Sequence, residues 1–216
     1  MPQAFMLGSL VIKTELIITI ASFVIGFILF YFLSPFEKQR TKQLLDTVSN
    51  IFLTLIISLW IGKILWNIDV FVKDPMAILT YPSNTLALYL ALILTIGYTW
   101  WKWIRTFASY QDHLYVFTTI FLLASFLNSF MEQIFFQTNW QYLVGLLILL
   151  SYLIAFSGKK ATAVLANTML VGWGILQIFI DAHVFQFAPD LIFYLLIVLL
   201  GVLQIVLYYR NGGRRL

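Results

Sequence analysis

The chain has 216 residues, of which 62% are hydrophobic and only 10% charged, so it has too little polar surface to cover a water-soluble globule. The absence of cysteine excludes disulfides, thiol nucleophiles and thiolate metal sites. The net charge of +4 comes from basic residues scattered over short segments, which form no stripe for a nucleic acid.

Seven apolar runs follow in chain order, at about 15–33, 48–66, 84–101, 114–131, 142–156, 162–180 and 190–209. Six have 18 residues or more, enough to cross a hydrocarbon core of about 30 Å at about 1.5 Å per residue. The fifth has 15 and reaches that length only with Trp140 and Ser157 at its interfaces. None alternates with period two, so the spans are expected to be helices rather than barrel strands. The predicted class is all-α, a polytopic membrane protein with seven transmembrane helices in one domain over 1–216.

Span one follows Lys13-Thr14-Glu15 and stops at Leu33-Ser34-Pro35. Without a basic leader and a small-residue cleavage site, it is expected to be retained. Residues 34–47 form a connection, with Pro35 as the stop or in the first turn of a short amphipathic piece. Asp46 or Ser49 is the expected cap of span two. The segment 67–83 reads as a short helix in the outer interface with Pro75 in its first turn. His113, beside Asp112, is expected to help start span four. Trp66 and Trp140 mark one interface and Trp100, Trp101 and Trp103 the other.

The connections after spans one, three and five and the tail hold Lys38, Arg40, Lys42, Lys102, Arg105, Lys159, Lys160, Arg210, Arg214 and Arg215. The other side holds only Lys13 and Lys73, with Lys63 inside span two. Short basic loops stay cytoplasmic, which predicts the N-terminus outside and the C-terminus cytoplasmic in a bacterial cytoplasmic membrane.

Polar residues inside lipid are costly and mark protein-facing or water-facing positions. Spans two, four and six each carry them in the outer third: Lys63; Asn128 and Glu132; Gln177 and Asp181, with His183 following. Asn128 and Glu132 are four apart and share a helical face, as do Gln177 and Asp181. Three helices thus offer polar groups at one depth, with no polar series expected to continue inward. Each residue also has a simpler reading. Lys63 can snorkel to phosphate, Asn128 and Gln177 can bond between helices, Glu132 and Asp181 can be solvated span ends, and His183 can be a loop residue. Gly172 and Gly174, flanking Trp173, are read as close helix packing. No H-E-x-x-H, P-loop or G-x-S-x-G motif occurs, and no metal-ligating set or cofactor is expected.

Several local stretches resemble, in order, the bacterial prolipoprotein diacylglyceryl transferase family. Trp60-Ile61-Gly62-Lys63-Ile64-Leu65-Trp66 is similar to its G-A-R-L-x-Y stretch, with Lys63 at the arginine. Asp74-Pro75-Met76-Ala77-Ile78 is similar to H-P-L-E-I, and Phe126-Leu127-Asn128 to the F-x-N of R-x-G-N-F-x-N-x-E. The run from Trp173-Gly174 to Asp181 is similar to Y-G-x-x-R-F-x-x-E, with Gln177 and Asp181 replacing arginine and glutamate. The resemblance spans roughly 13–210. It implies a seven-span fold that moves diacylglycerol from phosphatidylglycerol to a lipoprotein cysteine. Lys63, Asn128 and Gln177 would bind the lipid headgroup, with Asp181, Glu132 or His183 as general base. The family's glycine-rich stretch with its histidine is replaced by Thr80-Tyr81-Pro82-Ser83-Asn84-Thr85, and Leu122 and Ala124 stand at the arginine and glycine of R-x-G-N. Three functions therefore stay open. They are a diacylglyceryl transferase, a non-catalytic relative that binds phospholipid or a membrane-protein partner, and a small-solute carrier or its membrane subunit with Lys63 paired to Glu132 or Asp181.

Overall fold

The computed structural model describes residues 4–7, 10–73, 85–102, 107–136, 140–180 and 190–210. Two short strands, β1 (Ala4–Leu7) and β2 (Leu10–Lys13), form an antiparallel hairpin with Ala4 opposite Lys13 and Leu7 opposite Leu10. All else regular is helical: α1 (Thr14–Leu33), α2 (Lys38–Trp66), α3 (Ile68–Lys73), α4 (Thr85–Lys102), α5 (Phe107–Phe136), α6 (Trp140–Phe156), α7 (Thr162–Ile180) and α8 (Leu191–Arg210).

The protein is a membrane-embedded, multi-pass helical chain. α1, α2, α5, α7 and α8 are long and apolar enough to cross a bilayer. α6 is apolar but has 17 residues, and the 18 of α4 end in Tyr98-Thr99-Trp100-Trp101-Lys102. The exposed faces carry large apolar side chains, as lipid-facing surfaces do, while the buried positions mix apolar residues with small and hydroxyl-bearing ones. On α1, Thr14, Ile18, Ser22, Gly26 and Phe30 are buried at every fourth residue, while Leu16, Ile20, Val24, Ile28 and Phe32 are exposed. α8 buries only Tyr194 and Gly201 and exposes a run of leucine, isoleucine and valine.

Two compact units are distinguished, Met1–Leu45 with Gln111–Leu216, and Asp46–Tyr110. In the first, α5 and α7 are the most buried of the candidate spans. Glycines set the helix spacing. A Cβ on Gly26 of α1 would lie 3.3 Å from Ile120 O of α5, and one on Gly174 of α7 would lie 2.8 Å from Val198 Cγ2 of α8. A Cβ on Gly201 of α8 would lie 2.6 Å from Val171 Cγ2, and one on Gly172 would lie 2.6 Å from Leu149 Cδ2 of α6. Lipid gives helices no hydrophobic reason to associate, so close backbone approach supplies the dispersion contacts instead. Packing therefore accounts for Gly172 and Gly174. Trp173 between them makes edge contacts with Phe121 of α5 and Tyr194 of α8.

In the second unit, Gly62 of α2 approaches α4 so closely that a Cβ would lie 2.7 Å from Ala87 O. The buried stripe of α4 is Ala87, Ala91, Thr95 and Thr99.

The helices outrun the apolar runs. α2 starts at Lys38 rather than near 48, and α5 runs from Phe107 to Phe136 rather than 114–131. The stretch 38–47 is built from good helix formers, with Thr41 and Leu44 buried, so the helix continues past the apolar stretch. Asp46 and Ser49 consequently lie inside α2 rather than capping it, and Ser49 Oγ donates to Asp46 O at 2.9 Å. His113 lies two turns into α5 and is buried, so it does not begin the helix. Pro35 does follow the end of α1, and the turn is tied by a 2.8 Å hydroxyl contact between Ser34 and Thr41. A short helix, α3, precedes Pro75; residues 74–84, where the expected interface helix with Pro75 in its first turn falls, and Trp103 lie outside the described residues.

Candidate functional site

Near the end of α5, Asn128 and Glu132 stand one turn apart. Asn128 is 3% exposed, and its Nδ2 donates to Glu132 Oε1 at 2.7 Å. A carboxylate accepts only, so this bond fixes which end of the amide faces it. The other end, Asn128 Oδ1, lies 3.1 Å from Thr19 Oγ1 of α1. That hydroxyl is also 2.9 Å from Glu15 O, so its single proton serves one acceptor at a time. Thr19, Asn128 and Glu132 thus form one polar chain across two helices.

A second polar group lies between α6 and α7. Tyr142 Oη accepts from Trp173 Nε1 at 3.1 Å and from Gln177 Nε2 at 3.2 Å. Trp173 and Gln177 are one turn apart on α7, which presents both N–H groups to the same oxygen. Glu132 bears electrostatically on the Tyr142 hydroxyl. Gln177 is 1% exposed, and its Oε1 has no partner among the described residues; Ser125 Oγ, one turn before Ser129 on α5, has none either. A buried acceptor left unpaired costs about 1–3 kcal/mol. Among the described residues this second group therefore has an acceptor to spare in Gln177 Oε1.

Of the expected residues, Asn128 and Glu132 are directly bonded, while Gln177 belongs to the second group, bonded to Tyr142. Lys63 belongs to the second unit, in the last turn of α2, with Nζ 5.6 Å from the centre of the Trp60 ring. A cation there complements the helix C-terminus. Asp181 and His183 lie outside the described residues.

Thr19, Tyr142 and Trp173 were not expected as members. Tyr142 and Trp173 look in sequence like interface or packing aromatics, and Thr19 is hidden in an apolar run. The expectation that polarity stops at one depth is corrected as well. Thr118, Thr119 and Ser125 are buried on α5 before Asn128 is reached. Thr119 is satisfied by Tyr115 O at 2.7 Å, while Thr118 Oγ1 has no partner among the described residues. Hydropathy averages conceal such hydroxyls among leucine and phenylalanine. No protein-family model matches the chain, nor does any curated protein or solved structure.

Proposed function

We propose that the chain is a seven-span protein of a bacterial cytoplasmic membrane that holds a phospholipid by its headgroup, in the manner of a non-catalytic relative of the prolipoprotein diacylglyceryl transferases. The spans are α1, α2, α4, α5, α6, α7 and α8, with the N-terminus outside and the C-terminus cytoplasmic. Support for that topology comes from the alternation of Lys and Arg between connections.

One observation carries the reading of the site: Gln177 Oε1 is buried and has no partner among the described residues. Phosphate binds best to arginine forks, whereas an unpaired amide oxygen calls for a hydroxyl or N–H donor. Such an oxygen is well suited to the hydroxyls of a polyol, and the glycerol headgroup of phosphatidylglycerol offers two of them. Lipid analysis of the protein purified in mild detergent tests this. Enrichment of phosphatidylglycerol over phosphatidylethanolamine supports it, and a lipid profile equal to that of the membrane rejects it.

Transfer of diacylglycerol to a lipoprotein cysteine is the second reading, favoured by the 2.7 Å bond that aims Glu132. A carboxylate held in that way is suited to take the thiol proton. Product formation from phosphatidylglycerol and a lipobox peptide would establish it. The buried hydroxyls of Thr118 and Ser125 keep solute carriage as a further outcome, which flux into liposomes would reveal.

A further inference from the structure

At the basic end of the first unit lies a cavity of about 380 Å³, walled by Phe36, Gln111, Tyr115, Lys160, Leu165 and Tyr208, among others. That volume falls in the range of small-molecule sites, about 300–1,000 Å³. It stands about 26 Å along α5 from the Asn128 cluster, at about 1.5 Å per residue, and does not rely on it.

The cavity is built rather than incidental. Tyr115 is 2% exposed and is held by a 3.0 Å contact with Ser157 Oγ and by edge contacts with Phe30 and Phe36. Gly158 has φ of +76°, a conformation side chains resist, and it turns the chain so that Lys160 and Thr162 both line the cavity. Lys160 Nζ donates to Tyr152 Oη at 2.7 Å and sits 4.5 Å from the centre of the Phe156 ring. This fixes the ammonium in place, with two N–H groups beyond the one Tyr152 takes. Asp112 also lines the cavity, but its charge is already answered by Arg40 at 3.4 Å and by the Thr162 hydroxyl at 3.1 Å. Gln111 is 8% exposed and lines the cavity. The lining thus offers a lysine charge with no acidic partner among the described residues, an amide and an aromatic-aliphatic floor.

We propose that this cavity binds a phosphate ester. Lys160 supplies the charge, Gln111 a neutral donor, and Phe36, Tyr115 and Leu165 the contact for the apolar or glycerol part. The same chemistry can come from the head of a phospholipid in the adjoining leaflet or from a soluble phosphate monoester.

Native mass spectrometry of the full chain, with added dihexanoyl phosphatidylglycerol, dihexanoyl phosphatidylcholine or glycerol 3-phosphate, distinguishes the two sources. Lys160→Gln and Gln111→Leu should each weaken one bound molecule by about ten- to a hundredfold, as expected for a lost charge-assisted bond. Lys160→Arg should retain it, which separates binding from folding. Gln177→Met should leave this molecule bound, so failure here is distinct from failure of the Gln177 site. Lys160-dependent loss of phosphatidylglycerol alone identifies a lipid head; Lys160-dependent loss of glycerol 3-phosphate identifies a soluble ester. Binding indifferent to Lys160 and Gln111, or equal retention of phosphatidylcholine in wild type and Lys160→Gln, overturns the proposal.

Discussion

Asn128 holds Glu132 in place: the amide nitrogen of one donates to the carboxylate of the other across a single turn of α5, at 2.7 Å. The amide oxygen meanwhile faces Thr19 of α1. Removing this middle member should free the acid and loosen α1 together. Asn128→Ala is expected to cost roughly 0.6–2 kcal/mol, the range for interhelical polar contacts in membranes. Thr19→Val should cost less, because Thr19 retains no duty beyond one shared proton. Thermal unfolding in detergent checks the order, and equal losses would show that Asn128 does not mediate the contact.

Tyr142→Phe removes an oxygen on which two buried N–H groups converge, those of Trp173 and Gln177. Two donors are then left unsatisfied, so a loss of about 1–3 kcal/mol or more is expected despite the near-identical shape. Tyr152→Phe serves as the comparison, since its hydroxyl only accepts from an exposed lysine; a loss there matching that of Tyr142→Phe would contradict the account.

The glycines differ in what they allow. At Gly62 a methyl would meet the backbone oxygen of Ala87 at 2.7 Å, which cannot move without displacing α4. At Gly97 a methyl meets nothing within 4 Å. Gly62→Ala should therefore destabilise by about 1–3 kcal/mol, while Gly97→Ala should be neutral or stabilising by up to about 1 kcal/mol through helix propensity. Unfolding midpoints of the two variants give the test.

Topology is open to direct labelling because the native chain has no cysteine. Lys73→Cys, at the end of α3, should react with an impermeant maleimide from outside the cell. Lys159→Cys, in the turn after α6, should react only in inverted vesicles. Labelling of both from one side would refute the seven-span arrangement.

Much of the architecture was legible because lipid imposes a simple rule: apolar runs of bilayer length become helices. Hydropathy reports the lipid-facing stretch, however, and α2 and α5 extend beyond it through Lys38–Thr47, rich in good helix formers, and through Phe107–His113, where propensity alone gave no such signal. The hairpin of β1 and β2 went unread, although Gly8-Ser9 between two apolar runs was a turn signal. Within the site, the spacing of Asn128 and Glu132 sufficed to pair them. Tyr142 and Thr19 were not recoverable, since a helix number says which residues share a face but not which helix that face meets.

The measurement that bears most directly on the headgroup site pairs two readouts on Gln177→Met. Methionine keeps the length of the side chain and removes an amide oxygen that is buried without a partner among the described residues. The fold should therefore be unharmed, because relief of that acceptor offsets the lost bond to Tyr142. Retention of phosphatidylglycerol in native mass spectrometry should nonetheless fall, leaving only molecules sensitive to Lys160. Unchanged stability with lost lipid would bear out a polar site kept for binding; undiminished lipid retention would contradict it.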